Sequence, residues 1–210
     1  MTRYRFDLLD IKEILVSEGV EHWRVEKIKA SIINTNLLLK PIIVEMRRKF
    51  VIDGHHRLKA LALLGASKAP VILADYDSDI DDVGRWIYVA DPGCLRCDEF
   101  VRLVNELGSL VKRGSDVSRV GVGGESFSLN VDRLDFYIAL KYIDAPLSKV
   151  PQGLFKESAY RCYLIPPKLT PNDLYILLSR GLTLPPRSTL HRTYLKEAVI
   201  PYPIKRLVKR

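Results

Sequence analysis

The chain has 210 residues, 47% of them hydrophobic and 28% charged, which is enough for one sizeable core with or without an extension. No apolar run reaches the ~18 residues of a membrane span, and the first residues lack the apolar segment of a signal peptide, so we expect a cytoplasmic protein without membrane partners. The net charge of +8 favours anionic partners, either nucleic acid or phosphorylated metabolites.

Strand and helix patterns alternate in the first half of the chain. In chain order we predict a strand at 4–9, a helix at 23–34, strands at 42–46 and 50–53, a helix from His55 to Gly65 and a strand at 70–74. The first helix rests on Val25, Ile28 and Ile32, which recur at helical spacing. Strands that alternate with helices in this way indicate an α/β or α+β core.

The second half gives weaker patterns. We predict a helix at 98–112, a hairpin within 119–131, a helix at 132–143, a strand at 159–165, and a helix that Thr170 and Pro171 open and Gly181 ends. The glycines at 121–124 lack the Lys-Ser/Thr of a P-loop, so we interpret them as turn residues. The segment PGCLRC at 92–97 interrupts the pattern. We therefore expect two domains, 1–92 and 93–210.

Three cysteines are present, and two of them, Cys94 and Cys97, form a CxxC pair. A structural zinc site requires four ligands, and no second pair completes one around Cys162. The thioredoxin-like pattern that accompanies a redox CxxC is also absent. We therefore expect structural or incidental roles for the cysteines, for which a local disulfide is one possibility.

The stretch VIDGHHRLKA at 51–60 contains the densest group of functional side chains. A strand ends here, a glycine permits a tight turn, and a helix begins whose first N–H groups and dipole favour an anion. Arg57 adds a guanidinium suited to phosphate, whereas Asp53 can bind a metal ion or accept a proton. The pattern favours a phosphate site; the alternative is a capped helix start with solvated charges.

The segment DGHHRLKALALLGASKAPV at 53–71 resembles the signature of the ParB/sulfiredoxin superfamily. Its double-His form, followed by ILADY, is similar to archaeal free serine kinases. The resemblance implies an α+β fold with a ParB/sulfiredoxin-like mixed α/β core that binds nucleotide, and a smaller C-terminal α/β portion that contributes to the substrate site. It also implies phosphorylation of free L-serine to O-phospho-L-serine with Mg²⁺ and ATP or ADP, in serine and cysteine metabolism.

The resemblance also assigns roles to residues around the motif. Asp53 is implied as a catalytic residue and as a possible magnesium ligand, and the nucleotide phosphates are assigned to Gly54, His55, His56 and Arg57. Glu21, in a polar loop before the first helix, is implied as the catalytic base. From the sequence alone, the favoured interpretation of Glu21 is a charge that the dipole stabilises at a helix start.

The substrate-binding residues implied by the resemblance lie further along the chain: Tyr88, Ser188, Thr189 and His191. Leu190 stands where the kinases carry an arginine, so one substrate contact of that family is not supplied by this position, and Arg187 or Arg192 are the alternatives that could reach the same place. Outside the resemblance, Tyr88 is also consistent with a core aromatic in a strand. Ser188 and Thr189 are also consistent with turn chemistry after the proline pair.

Two rival functions share the motif. A ParB-like nucleotide-dependent DNA-binding protein is the main alternative, and the basic composition agrees with it. However, Pro185 and Pro186 occupy the place where the recognition helix of a helix-turn-helix would begin, so nucleic acid is not the expected partner. A sulfiredoxin-like reductase requires a cysteine within the motif, where this chain has His55 and His56.

Overall fold

A computed structural model of the chain describes residues 4–90, 95–143 and 146–208. The strands are β1 Phe6–Asp10, β2 Leu37–Leu38, β3 Ile42–Glu45, β4 Val51–Asp53, β5 Lys68–Ala74, β6 Asp82–Ala90, β7 Asp116–Val122, β8 Glu125–Val131, β9 Leu147–Pro151, β10 Cys162–Ile165, β11 Thr189–Arg192 and β12 Tyr202–Pro203. The α-helices are α1 His22–Thr35, α2 His55–Leu63, α3 Tyr76–Asp79, α4 Cys97–Leu110, α5 Arg133–Ala139 and α6 Pro171–Ser179.

The chain folds as two compact units, one formed by 1–82 with 191–210 and the other by 83–190. This division differs from the boundary that we expected at 92–93. The reason is that β6, which precedes the interruption at 92–97, pairs with β9 and β10 and so belongs with the later strands. The last twenty residues return to the first unit, which no local pattern in the sequence indicated.

The first unit is built on a four-stranded sheet of order β1-β5-β3-β4, in which only β3 and β5 are parallel. Short strand β12 pairs with β2 and brings the C-terminal segment into this unit. The core beneath the sheet consists of buried aliphatic side chains from β3, β4 and β5, and α1 packs on it through Val25 and Ile32. Val25 and Ile32 are helix positions that the spacing predicted. The burial of the whole aliphatic core supplies the main stabilising free energy of the unit.

The second unit contains a larger sheet of order β11-β6-β10-β7-β8, with β9 also paired to β6. The predicted hairpin is confirmed: β7 and β8 are joined by Gly123 and Gly124, both at positive φ, where residues with a Cβ are disfavoured. Helix α5 ends at Ala139, four residues earlier than expected. The N–H groups of Lys141 and Tyr142 bond three residues back, so the chain continues as turns.

A disulfide joins Cys97, the first residue of α4, to Cys162 in β10. Its partner is therefore a cysteine 65 residues away, whereas the local pairing that we considered involved Cys94. Cys94 lies outside the described residues. The bond holds α4 against the second sheet and shows a structural role for two of the three cysteines.

Across the described ranges, every helix is too short or too polar to cross a bilayer.

Candidate active site

Strand β4, Gly54 and helix α2 form the predicted strand–turn–helix. Gly54 has φ +109° and stands immediately before the first helical residue. A Cβ at this position would lie 2.9 Å from Nη2 of Arg57, so both the backbone conformation and the side-chain packing require glycine. The turn exposes the start of α2, where unpaired N–H groups can bind an anion.

Asp53 ends β4 and is flanked by two cations. Its Oδ2 forms a short ion pair with Nη2 of Arg57, one helical turn further on, and its Oδ1 lies 3.9 Å from Nζ of Lys196. Burial alone raises the pKa of the Asp53 carboxyl, but the charges of Arg57 and Lys196 outweigh it and leave the pKa below its ordinary value. Asp53 is therefore an ionised carboxylate at neutral pH.

His55 is the first residue of α2, and its ring is buried. Nε2 of His55 lies 2.9 Å from the hydroxyl of Ser17, and that hydroxyl donates to the carbonyl of Val51 at 3.1 Å. The Ser17 oxygen consequently accepts the Nε2 proton of His55, which fixes the ring's orientation. Burial lowers the pKa of His55 to about 4, so the ring is neutral at physiological pH. Because the ring proton goes to Ser17, His55 can donate to a phosphate only through its backbone N–H at the start of α2.

His56, the next residue, is linked to the loop before α1. The backbone N–H of Glu21 donates to Nε2 of His56 at 3.0 Å, and Oε2 of Glu21 lies 3.7 Å from the same nitrogen. Glu21 is the residue that precedes α1, yet its side chain makes no capping hydrogen bond to that helix. Its carboxylate instead pairs with Arg24 at 2.6 Å. These contacts link the start of α1 to the motif, and the role of Glu21 as the base stays a prediction.

His191 lies in the C-terminal segment that belongs to the first unit. Its Nε2 is 2.7 Å from the hydroxyl of Tyr76, and the two rings meet edge to face. Burial, with the nearby charge of Lys196, lowers the pKa of His191 to about 3. The ring is therefore neutral, so it can contact a substrate by hydrogen bonding and does not act as a cationic clamp for a carboxylate.

The other three predicted substrate residues lie in the second unit. The hydroxyl of Ser188 is buried and donates to the carbonyl of Pro185 at 2.8 Å, as the turn alternative expected. The carbonyl of Thr189 accepts from the indole N–H of Trp86 at 3.1 Å. Tyr88 is buried in β6 with the ammonium of Lys149 4.8 Å from its ring centre. Their substrate roles remain predictions.

The first unit thus brings together residues that are far apart in the sequence. The motif, the loop before α1 and the C-terminal segment all contribute predicted site residues: Glu21, Asp53, Gly54, His55, His56, Arg57 and His191. Sequence reasoning missed Ser17, Tyr76 and Lys196. Tyr76 stands in the ILADY stretch that carried the resemblance, whereas Ser17 and Lys196 have no local signal and are identified only by the fold.

Asp53 is the carboxylate of the motif that could bind a divalent cation. The described residues contain no group of three or more His, Cys, Asp or Glu side chains arranged to hold a metal. Magnesium commonly binds through one or two carboxylates together with substrate phosphates and water. Asp53, ionised and next to a helix N-terminus suited to phosphate, fits that requirement.

Two sequence relatives of this chain carry different descriptions. A ParB-like protein of Sulfolobus acidocaldarius is 28% identical over 200 residues, covering 91% of this chain and 92% of the relative. An ATP-dependent L-serine kinase of Staphylothermus marinus is 30% identical over 83 residues, which are 38% of this chain and 33% of that protein. No protein-family model matches the chain.

Solved structures agree over nearly the whole chain. A free serine kinase in complex with AMP superposes with a TM-score of 0.76 at 21% identity, covering 98% of this chain and 95% of the kinase. A variant of a free serine kinase in complex with ADP superposes with a TM-score of 0.75 at 18% identity over the same shares. The chain is therefore an α+β protein with the fold of the free serine kinases.

Proposed function

We propose that this chain is a kinase that transfers a phosphoryl group from an adenine nucleotide to the hydroxyl of free L-serine. The observation that carries the proposal is the pairing of Asp53 with Arg57 at the Gly54 turn, beside the Glu21–His56 contact. An anion site, a carboxylate and a candidate base are thus gathered on a fold that serine kinases share. Phosphoryl transfer depends mainly on such positioning and charge neutralisation.

The phosphates of the nucleotide are assigned to the start of α2. Its free N–H groups and dipole favour negative charge, and Arg57 supplies a planar, permanently charged donor. His55 and His56 are the first two residues of α2 and add their backbone N–H groups, while the neutral ring of His55, which donates to Ser17, adds no charge. Magnesium bound at Asp53 would neutralise phosphate charge when present.

The acceptor hydroxyl needs a base because a serine hydroxyl is a weak acid. Glu21 is assigned this role. In the step, the bond between the terminal phosphorus and the leaving oxygen of the nucleotide breaks, and a bond from that phosphorus to serine Oγ forms. The hydroxyl proton goes to Glu21, and the nucleotide leaves one phosphate shorter. Binding of the amino-acid part of L-serine is assigned to Tyr88, Ser188, Thr189 and His191. His191 contributes by hydrogen bonding.

The donor is either ADP or ATP, because the assigned phosphate contacts suit both. The setting that we infer is serine and cysteine metabolism in the cytoplasm of an archaeon. The inference is supported by the motif's likeness to archaeal enzymes and by the sources of the relatives, Sulfolobus acidocaldarius and Staphylothermus marinus.

The direct test is incubation with L-serine, Mg²⁺ and either ATP or ADP, with O-phospho-L-serine followed by ³¹P NMR and mass spectrometry. We expect phosphoserine and one equivalent of the shortened nucleotide. O-methyl-L-serine is the matched control, because it keeps the amino and carboxylate groups and lacks the hydroxyl proton. If neither nucleotide yields phosphoserine, the proposal fails.

The alternative, a ParB-like DNA-binding protein, is supported by the name of the Sulfolobus relative. The α-helices described in the second unit are each followed by a strand, so no two of them form a consecutive helix-turn-helix pair. An electrophoretic shift assay with long duplex DNA at two salt concentrations separates the functions. Tight binding that weakens steeply with salt would favour the alternative.

A further inference from the structure

Lys196 is a cation at the motif that the sequence did not predict. It lies in a 3-10 turn, Tyr194–Glu197, whose start is capped by the side chain of Thr193. Its Nζ donates to the carbonyl of His191 at 2.6 Å and lies 3.9 Å from Oδ1 of Asp53. The distance to Asp53 is that of an ion pair without a direct hydrogen bond.

The segment that carries Lys196 is held in place by contacts within the first unit. Nζ of Lys40 donates to the carbonyl of Lys196 at 3.1 Å, and the hydroxyl of neighbouring Tyr194 donates to Asp79 at 2.9 Å. The adjacent Leu195 is buried in the core. The ammonium group of Lys196 is therefore positioned before any ligand binds, which lowers the entropic cost of using it.

The charges around Asp53 do not balance. Asp53 contributes one negative charge, Arg57 and Lys196 contribute two positive charges, and burial keeps His55 and His191 neutral. The ion-pair geometry alone, one carboxylate between two cations, leaves an excess positive charge beside a helix N-terminus that itself favours anions. The His191 carbonyl occupies one of the three donors of Lys196, so the side chain, 32% exposed, retains donors for a ligand.

We propose that Lys196 is a further catalytic residue, which binds the oxygens of the phosphoryl group in transit from nucleotide to acceptor. This inference rests on the proposed function and adds to it the residue that contacts the moving group. Arg57, fixed to the other oxygen of Asp53, holds the phosphates that stay on the nucleotide. Lys196 contacts the terminal phosphate before transfer and the same group on O-phospho-L-serine after it, so its charge stabilises the phosphoryl group throughout.

The test compares ligands that differ by that one group. Calorimetric titrations with AMP, ADP, ATP, L-serine and O-phospho-L-serine are made on wild type, Lys196→Met, Lys196→Arg and Lys205→Met. Lys205 is an exposed lysine in another 3-10 turn of the same terminal segment, so its variant controls for the loss of one positive charge. Thermal melting of each variant checks the fold.

For Lys196→Met we expect a loss of roughly 10- to 100-fold in affinity for O-phospho-L-serine and for the donor nucleotide. L-serine and the nucleotide one phosphate shorter should change less than about threefold. Lys196→Arg should keep part of the affinity, and Lys205→Met should match wild type. Equal loss for long and short nucleotides, or no loss for phosphoserine, would overturn the proposal.

Failure of the proposed function can be told apart from failure of this inference. If wild type makes no phosphoserine, the function fails, and the nucleotide series still decides whether Lys196 contacts a terminal phosphate. If wild type is active and Lys196→Met keeps its kcat and its affinities, the function stands and Lys196 is removed from it. If Lys196→Met melts at a lower temperature than wild type, Lys196→Arg provides the same comparison. For that variant we expect a smaller loss of affinity, confined to O-phospho-L-serine and the donor nucleotide.

Discussion

The two units differ in what they bury. The first unit buries ionisable side chains: Glu18, Glu45, His55 and His191. Among the described residues of the second unit, the buried polar groups are hydroxyls instead, those of Ser118, Ser188 and tyrosines such as Tyr137, and each of these three donates to a nearby carbonyl. Burial of ionisable groups costs free energy unless they are paired or neutral. The first unit therefore carries an arrangement that stability alone does not favour, which is typical of functional sites.

The second unit relies on apolar packing and a covalent bond instead. Its ion pairs include Arg119 with Glu157, both nearly half exposed, and exposed pairs of this kind contribute little to stability. Arg133, which pairs with Asp116 and Asp173, is less exposed. The Cys97–Cys162 disulfide closes a long loop within it. The comparison predicts that substitutions in the first unit change the reaction, whereas substitutions at the disulfide change stability.

Asp53→Asn is expected to have the largest effect on the reaction. The amide keeps the volume of the side chain but removes the charge that pairs with Arg57 and would hold magnesium. We expect kcat to fall by roughly 10³- to 10⁴-fold, with the melting temperature near that of wild type. The measurement is the initial rate of phosphoserine formation beside a thermal melt. Near-normal turnover would remove Asp53 from the mechanism.

Glu21→Gln distinguishes the two roles considered for Glu21, that of the catalytic base and that of a charge at a helix start. If Glu21 takes the serine proton, kcat should fall by roughly 10²- to 10⁴-fold while the nucleotide binds as in wild type. If it is only a charge at the start of α1, the loss is about 0.3–1 kcal/mol of stability with little change in rate. One calorimetric titration with nucleotide and one rate measurement distinguish the two.

Much of the first unit could be predicted because its signals are local. The strand–glycine–helix motif and the α1 core positions follow from neighbours in the sequence, as does the glycine turn of the β7–β8 hairpin in the second unit. The alternation of strands and helices likewise indicated the fold class. The sequence also indicated a tight turn at Gly54, and the structure adds its positive φ, a conformation that selects glycine.

What could not be predicted depends on contacts between distant parts of the chain. Lys196 approaches Asp53 only because the C-terminal segment folds back on the first unit, and Ser17 meets His55 across 38 residues. The pairing of Cys97 with Cys162 is also set by the second sheet, since α4 lies beside β10 there. The CxxC spacing drew attention to the wrong cysteine, because proximity in sequence says little about proximity in a folded sheet.

Removal of the disulfide should separate stability from nucleotide binding. For the double variant Cys97→Ala, Cys162→Ala, a closed loop of this length predicts a loss of about 4 kcal/mol in the free energy of unfolding. Nucleotide affinity should stay within about twofold below the melting transition, because the phosphate residues lie in the first unit. Urea unfolding with and without reductant provides the control: reductant should lower wild type to the level of the variant and leave the variant unchanged. Equal stability of oxidised wild type and variant would contradict this assignment.

The smallest expected effect concerns the buried histidine of the first unit. The pKa of His191 is about 3 in the folded protein, against about 6.5 for an exposed histidine. Between these values the unfolded chain binds a proton that the folded protein does not, so stability is lost as the pH falls. His191 alone should contribute a slope of up to about 1.4 kcal/mol per pH unit.

His191→Gln isolates that contribution, because glutamine can replace the hydrogen bond to Tyr76 and does not titrate. Asp53, His55 and Lys196, the charged or titratable groups near the ring, are the same in both proteins and largely cancel in the comparison. Urea unfolding at pH 6 and pH 5 should show wild type losing about 1 kcal/mol more than the variant. Equal losses of stability in wild type and variant would mean that His191 binds a proton in the folded protein as readily as in the unfolded chain. His191 would then not be a buried neutral histidine, and the contrast between the two units would lose its clearest example.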